Sequence, residues 1–407
     1  MLPLLGAAAA LALQADAPPS CGARLCYADS LRPFLARLRA GAPVHIIQIG
    51  DSHTAGDMIT NGWRTRLQAR YGNGGRGVLA AGRPYAGYLT WGVTASQSGG
   101  WSANASFGPA YRADGPPIGI SGFTQTAHAA DETLGISADS RDQDFDRIIV
   151  CAIAQPGGGN ILLDMGATVE SWPLEASAPT PACRTLDSDA PVAAASIHTR
   201  NDGIVSITSF GTFRRGGGVA LSNLGVVGAR LSHFGRTDDA VVQAELAAYR
   251  PDLIVLAFGT NEGFDPSLSP DAYEAALRDQ IARLRRLAGS PVPILLLGPP
   301  DAAAHLPAEA GLAGACGDGW AVPRGLEAVR ARQQRVARDL HVAFWNWSAA
   351  MGGRCASTLW RMSDEMRGDH VHFTRSGGDR IGAMLDADLA RALELLPPAD
   401  AAGEGRR

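Results

Sequence analysis

Short apolar runs that alternate with helical patterns constrain the fold of this chain more than any other feature. Val44–Ile49 (VHIIQI) has the length and β-branched content of a buried strand, and Gly50 ends it. Three later runs have the same character, and between them apolar residues recur at helical spacing. Strands that alternate with helices predict a parallel, doubly wound α/β sheet. The later runs are Asp252–Phe258, Pro293–Gly298 and His341–Trp345.

Between residues 101 and 218 the helical patterns disappear. Short β-type runs replace them, separated by clusters of Gly, Pro, Ser and Asp, which is the pattern of an all-β unit. Elaborated loops are the alternative, but structureless stretches longer than about 15 residues are already uncommon in compact domains. We therefore expect a β-sandwich inserted into the α/β domain. The clearest β-type runs are Arg147–Ile153, Ile161–Asp164 and Gly203–Phe210.

The length of the chain agrees with two structural units, since 407 residues is long for one compact domain. We expect a discontinuous α/β domain formed by residues 27–100 and 219–398, and an inserted β-rich domain formed by residues 101–218. Residues 72–100 are rich in glycine and have no period. We expect them to form a long, ordered surface loop near the functional site.

The N-terminal residues 1–17 form a short apolar run followed by small residues, which is typical of a secretory signal peptide. The run lacks a positive charge near Met1, so a frayed apolar terminus is the alternative. No later segment is long and apolar enough for a membrane helix. Six cysteines are present, and a secreted protein would allow disulfides. Chain order favours neighbouring pairs, without fixing them: Cys21–Cys26, Cys151–Cys183 and Cys316–Cys355.

A serine follows the first predicted strand directly, in Gly50-Asp51-Ser52-His53, at the mouth of a predicted helix. Helix capping would explain Ser52 by itself, because a serine hydroxyl is a weak nucleophile without a base. Near the C-terminus, Asp369 and His372 lie three positions apart before another helix. A histidine can accept a proton near neutral pH, and a carboxylate can fix its tautomer. We predict Ser52 as nucleophile, His372 as base and Asp369 as the residue that orients it.

His370 is the competing candidate for the base. Its position next to Asp369 suits that pairing less well, so we expect a structural role for His370. The H-x-H spacing of His370 and His372 also occurs in metal sites, but no companion cluster of carboxylates and histidines supports a metal.

Two further segments offer hydrogen-bond donors to an oxyanion. Asn261 follows the run Asp252–Phe258, and its side-chain N–H₂ can donate. Gly228 follows another strand-like run, and glycine lets the backbone approach a ligand closely. Removing one oxyanion donor typically costs about 10²–10³-fold in turnover. Either segment alone would be interpreted as a turn.

Together, and in this order, the four segments resemble the SGNH, or GDSL, hydrolases. That family has a serine in a GDS block, a glycine block, a GxN block and a DxxH block, matched here by Ser52, Gly228, Asn261 and the Asp369–His372 pair. The matches extend from residue 44 to about residue 390. The resemblance implies a three-layer α/β/α fold, an oxyanion hole formed by the Ser52 N–H, the Gly228 N–H and the Asn261 side chain, and no metal or organic cofactor.

The first block departs from the family pattern because His53 stands where leucine is usual. The form GDSH-T-A-G-D, the glycine-rich segment and the β-rich insertion resemble bacterial peptidoglycan O-acetylesterases, in which a carbohydrate-binding-module-like β-sandwich interrupts the hydrolase domain. This resemblance implies O-acetyl groups of an acetylated polysaccharide as substrate, 6-O-acetyl muramic acid first, and a periplasmic or secreted location. We expect a monomer. A formal net charge of −4 without a basic cluster argues against a nucleic-acid partner.

Three alternatives remain open from the sequence. One is an esterase for another acetylated glycan or a lipid, although no amphipathic lid is evident. Another is acetyl transfer, which the same triad serves. The third is a glycan-binding protein with an inert hydrolase domain, against which the intact triad residues argue. Tyr85, Tyr88 and Trp91 could stack on sugar rings, but ordinary packing is the better interpretation of each.

Overall fold

The computed structural model describes residue 21 and residues 24–200, 203–305 and 315–396. The expected signal peptide, residues 1–17, lies outside these ranges. The strands in chain order are β1 (Leu25–Cys26), β2 (Val44–Gly50), β3 (Gly77–Leu79), β4 (Val93–Gln97), β5 (Ser102–Ala105), β6 (Phe123–Ala127), β7 (Thr133–Ala138), β8 (Phe145–Ala154), β9 (Asn160–Asp164), β10 (Val169–Pro173), β11 (Thr180–Val192), β12 (Ala194–Thr199), β13 (Val205–Phe213), β14 (Val219–Gly225), β15 (Leu253–Ala257), β16 (Ile294–Leu297), β17 (Ala304–His305), β18 (Trp320–Ala321) and β19 (Ala343–Trp345).

The helices in chain order are α1 (Arg32–Arg39), α2 (Ser52–Ala55), α3 (Met58–Tyr71), α4 (Leu231–Phe234), α5 (Asp239–Tyr249), α6 (Thr260–Gly263), α7 (Pro270–Ala288), α8 (Arg324–Leu340), α9 (Trp347–Met351), α10 (Ala356–Met362) and α11 (Arg375–Leu395). Two short 3₁₀ helices, Ala28–Leu31 and Arg141–Gln143, are also present.

A six-stranded sheet forms the centre of the α/β domain, in the order β1-β19-β16-β15-β2-β14. All neighbours are parallel except β1, which pairs with β19 antiparallel. Successive residues of β2 face opposite sides: Ile46 packs with apolar residues of α1, α3 and α11, whereas Ile47 packs with those of α5, α7 and α8. Both faces are covered, which explains the continuously apolar strands. The predicted three-layer α/β/α fold is confirmed.

The inserted β domain consists of two antiparallel sheets packed face to face. One has the order β10-β9-β12-β7-β4, and the other has the order β11-β8-β13-β6-β5, with β3 pairing to β13. Alternate residues of the strands fill the space between the sheets, for example Ile148, Leu163 and Ile197. The insertion begins earlier than residue 101, where we placed it, because β4 already belongs to the first sheet. At the other end β14 starts at Val219 and pairs with β2.

The glycine-rich segment 72–100 is not the surface loop that we expected. Residues 75–82 are buried, and β3 and β4 lie within the segment. A Cβ on Gly75 would come within 2.5 Å of the Phe213 backbone, and one on Gly77 would come within 2.5 Å of Ser222 Oγ. Glycine is therefore required so that this backbone can lie directly against β13 and β14. The segment joins the two domains.

All three expected disulfides are present: Cys21–Cys26, Cys151–Cys183 and Cys316–Cys355. The second lies between directly opposed residues of β8 and β11. Disulfides persist in oxidising compartments, which indicates an extracytoplasmic protein. Within the described ranges, none of the helices combines the length and apolar content needed to cross a membrane.

Candidate active site

Ser52 is held at the carboxyl end of β2, as the first residue of α2. Asp51 caps this short helix, because its carboxylate accepts a hydrogen bond from the His53 N–H at 2.9 Å. A Cβ on Gly50 would lie 2.6 Å from the Ala257 carbonyl oxygen, so the tight turn requires glycine. The capping role that could have explained Ser52 belongs to Asp51. The Ser52 hydroxyl is left for another partner.

That partner is His372. Its Nε2 lies 2.9 Å from Ser52 Oγ, and its Nδ1 lies 2.8 Å from Asp369 Oδ2. Because Nδ1–H donates to the carboxylate, Nε2 is the ring atom that accepts the Ser52 proton. The predicted nucleophile, base and orienting acid are therefore brought together in one hydrogen-bonded row, although about three hundred residues separate the serine from the other two.

The Asp369 carboxylate is fixed by more than the imidazole. Its Oδ1 accepts from the backbone N–H groups of Val371 (3.0 Å) and His372 (2.9 Å). Partial burial opposes ionisation, but these N–H groups and the imidazole together hold the pKa of Asp369 below its usual value. Asp369 is thus an ionised acceptor at neutral pH. Thr374 then caps α11 by accepting from the Gly377 N–H.

The expected oxyanion donors lie at the same edge of the sheet. Gly225, Gly50 and Ala257 are in register across β14, β2 and β15, so Gly228, Ser52 and Asn261 each follow a strand that ends there. Gly228 has φ 76°, in the left-handed region that favours glycine. Among the described residues no acceptor takes the backbone N–H of Ser52 or of Gly228.

Asn261 has one identified partner. Its Nδ2 donates to the Ala229 carbonyl at 2.9 Å, which ties α6 to the turn that contains Gly228. An amide nitrogen carries two hydrogens, so one remains for a ligand. The adjacent Glu262 reinforces the same turn by accepting from the Leu231 N–H at 2.7 Å. Burial raises the pKa of Glu262 to about 7.

His370 has the structural role that we expected. Its ring stacks on Trp320 at 3.8 Å between centroids, and its backbone carbonyl accepts from the Ala303 N–H. His370 therefore anchors the acid–base loop to the antiparallel pair formed by β17 and β18. Among the described residues no group of three or more His, Cys, Asp and Glu side chains is placed to hold a metal ion.

A cleft of about 290 Å³ opens over Ser52 and His372. Its walls are mostly apolar, and among the described residues that line it only Arg367 carries a permanent charge. Tyr85 lines the cleft, Tyr88 packs edge-to-face on Tyr85, and the guanidinium of Arg375 lies over the Trp91 ring. The other lining residues include Met58, Ile59, Leu89, Val227 and Phe373.

Sequence reasoning did not identify the contacts of Asp51 and His53. Both side chains are buried: His53 Nδ1 lies 3.2 Å from Asp51 Oδ1, and Nε2 lies 2.9 Å from the Val371 carbonyl oxygen. An aspartate just before a helix was a recognisable signal for an N-cap. Nothing local in the sequence indicated the contact with Val371.

The chain is similar to known hydrolases in sequence and in structure. The model of the GDSL-like Lipase/Acylhydrolase family matches residues 211–380, a range that contains Gly228, Asn261, Asp369 and His372. A solved structure entitled "Peptidoglycan O-acetylesterase in action" is 26% identical, with a TM-score of 0.75, over 92% of this chain and 100% of that one.

Other solved structures are more distant. A Bacillus subtilis protein is 12% identical with a TM-score of 0.35, over 77% of this chain and 98% of its own. A family two carbohydrate esterase from Clostridium thermocellum is 13% identical with a TM-score of 0.31, over 73% of this chain and 100% of its own. These two similarities are too low to bear on function. No curated protein matches the sequence significantly.

Proposed function

We propose that this chain, a carboxylic ester hydrolase that belongs to the GDSL-like lipase/acylhydrolase family, removes O-acetyl groups from a cell-envelope polysaccharide. Ser52, His372 and Asp369 are its catalytic residues in this proposal. The observation that carries it is the unbroken hydrogen-bond row from Ser52 Oγ through the His372 ring to Asp369, at 2.9 and 2.8 Å. That row opens onto the cleft.

In the first half of the reaction, Ser52 Oγ attacks the carbonyl carbon of the acetyl ester while His372 Nε2 takes the hydroxyl proton. The tetrahedral intermediate collapses with cleavage of the bond to the sugar oxygen, and His372 returns its proton to that oxygen. In the second half, water attacks the acetyl-serine, His372 again takes and returns a proton, and acetate leaves. Asp369 stays ionised and holds the imidazole in one tautomer throughout.

The intermediate carries a negative charge on the former carbonyl oxygen. In the proposal the backbone N–H groups of Ser52 and Gly228 and the free hydrogen of Asn261 Nδ2 donate to it. The support is that the two backbone donors have no acceptor among the described residues, while Asn261 is braced against Ala229. Donors fixed in advance stabilise developing charge without reorganisation.

Two observations support peptidoglycan, with 6-O-acetyl muramic acid first, as the substrate. The first is the similarity to a peptidoglycan O-acetylesterase over most of both chains. The second is Arg367, whose charge suits an acidic glycan: muramic acid carries a lactyl carboxyl group, free or extended by a peptide. The disulfides and the expected signal peptide fit a periplasmic or secreted enzyme that meets this polymer.

Acetate release from O-acetylated peptidoglycan sacculi, measured beside release from acetylated xylan, tests the proposal. We expect release from sacculi, and a loss on the order of 10⁵–10⁶-fold in kcat for Ser52→Ala. Ser267→Ala, which changes an exposed serine that does not line the cleft, is the matched control and should behave as the parent. Full activity of Ser52→Ala would refute the triad. Release from xylan alone would refute the substrate, and acetyl groups recovered on a glycan acceptor in place of acetate would refute hydrolysis.

A further inference from the structure

We propose that His53 is a positioning residue, which holds the loop carrying Asp369 and His372 in register with Ser52. The inference rests on the proposed triad and adds to it a residue whose ring nitrogens bond protein groups and not the reacting atoms. His53 is next to the nucleophile in the chain, on α2, and stands where the family has leucine. Its side chain is only 3% exposed. It forms part of the cleft wall, but both of its ring nitrogens are already bonded to protein groups.

The contact that carries the inference is a hydrogen bond across the site. His53 Nε2–H donates to the carbonyl oxygen of Val371, at 2.9 Å. Val371 is the residue just before the base, and its own N–H donates to Asp369 Oδ1. Both backbone polar groups of Val371 are therefore bonded: its N–H to Asp369 and its carbonyl oxygen to His53. This hydrogen bond from His53 to Val371, here called the tether, connects the rigid end of β2 to the loop that presents His372.

The other side of the His53 ring is fixed as well. Nδ1 lies 3.2 Å from Asp51 Oδ1 and 3.4 Å from Thr260 Oγ1. Burial disfavours the charged imidazole, but Asp51, the Val371 carbonyl and Asp369 outweigh it and raise the pKa of His53 above its ordinary value. This favours the ring form in which both nitrogen atoms donate. Asp51 and His53 thus make a second aspartate–histidine pair beside the first.

Packing sets the plane of the ring. Trp347 and Phe373 meet it edge-on, at 5.4 and 5.7 Å between centroids, and the His372 ring lies 5.5 Å away. Leucine, which stands at this position in the family pattern, has no hydrogen-bond donor for Val371. The imidazole adds to that packing a directed donor to Val371. A displacement of about 1 Å at a reacting group can cost on the order of 10²-fold in rate, so the tether matters for turnover.

Two isosteric variants distinguish the effect of the tether from that of the other contacts of His53. His53→Gln places its amide nitrogen near the Nε2 position and can still donate to Val371. His53→Asn places its amide nitrogen near Nδ1, so it keeps the Asp51 contact and loses the tether. On p-nitrophenyl acetate we expect His53→Asn to lower kcat about tenfold or more with little change in KM, and His53→Gln to stay within about threefold of the parent.

His45→Leu is the matched control for loss of a buried histidine. His45 lies on the same β2 strand at its other end, and its two ring nitrogens bond Tyr249 and Ser222. We expect this variant to melt at a lower temperature with an unchanged kcat per folded molecule, and calorimetry checks that the His53 variants are folded. A kcat of His53→Asn equal to the parent, or an equal loss in His53→Asn and His53→Gln, overturns the inference. Activity that survives Ser52→Ala would instead refute the triad, so the two failures are distinguishable.

Discussion

The two aspartate–histidine pairs at this site differ in burial and therefore in what they can do. The side chains of Asp369 and His372 are 46% and 37% exposed, and their row ends on the Ser52 hydroxyl. Those of Asp51 and His53 are 2% and 3% exposed, and their row ends on a backbone carbonyl. A base must exchange protons with substrate and water, so it has to be accessible. A tether is stronger when water is kept from its hydrogen bonds.

The two pairs also differ in the rigidity of the elements that carry them. Asp51 and His53 follow β2, an interior strand of the sheet. Asp369 and His372 lie on a loop before α11, which is braced by His370 on Trp320 and by Val371 on His53. Under the proposed mechanism the two pairs have different roles: the buried pair Asp51–His53 positions the loop, and the exposed pair Asp369–His372 takes part in the reaction.

Replacing the acid of each pair by asparagine is the strongest test of this comparison. We expect Asp369→Asn to lower kcat on the order of 10³–10⁴-fold, because an amide neither fixes the His372 tautomer nor stabilises its charged form. Its melting temperature should change little, since Asp369 is half exposed. Asp51→Asn should lose less activity and more thermal stability, because it removes the carboxylate that is hydrogen-bonded to the buried His53. Equal losses of activity in Asp369→Asn and Asp51→Asn would contradict different roles for the two pairs.

Glu262, next to Asn261, extends the comparison to a buried acid that forms no ion pair with the described residues. Burial and the nearby Asp51 raise its pKa to about 7, against 4.5 for a free glutamate. Between those values the folded protein holds a proton that the unfolded chain has released, so stability falls as pH rises through this window. The difference corresponds to about 3 kcal/mol.

Urea unfolding of the parent and of Glu262→Gln at pH 5 and pH 8 measures this effect. We expect the parent to lose stability between the two values and the Glu262→Gln variant to lose less. Glu327→Gln, which changes an exposed glutamate paired with Arg354, should follow the parent. A Glu262→Gln profile identical to that of the parent would show that Glu262 titrates normally.

The sequence predicted the elements whose pattern is local. The parallel strands are continuously apolar because both faces of the sheet are covered, so Val44–Ile49 and Asp252–Phe258 could be assigned directly. The order of the four blocks was enough to pair Ser52 with Asp369 and His372. Strand ends of a parallel sheet meet at one edge, so a site at that edge follows from the pattern alone.

What the sequence could not predict depends on contacts between distant segments. Among the glycines of residues 72–100, Gly74, Gly75 and Gly77 are required by close approaches to β13 or β14, and such approaches leave no period in the sequence. The contact from His53 to Val371 spans more than three hundred residues, and only the folded backbone brings the two together. For the same reason the earlier start of the insertion, at β4, was missed.

Arg367→Gln has the smallest expected effect, and it tests only the exposed side of the site, where substrate is proposed to bind. The Arg367 guanidinium lines the cleft, and among the described residues it has no ion-pair partner, whereas Arg361 nearby pairs with Asp364. If it binds an acidic group of the substrate, Arg367→Gln should lower kcat/KM on O-acetylated peptidoglycan fragments about threefold to fivefold, which is the range of an exposed ion pair. The loss should shrink at about 1 M salt, and hydrolysis of neutral p-nitrophenyl acetate should not change.

Arg361→Gln is the matched control and should leave the hydrolysis of both substrates unaffected. The Arg367 N–H donates to the His372 carbonyl oxygen, so a change at Arg367 could also disturb the acid–base loop. An equal loss of activity on the charged and the neutral substrate would show that effect, and would contradict binding of a substrate charge.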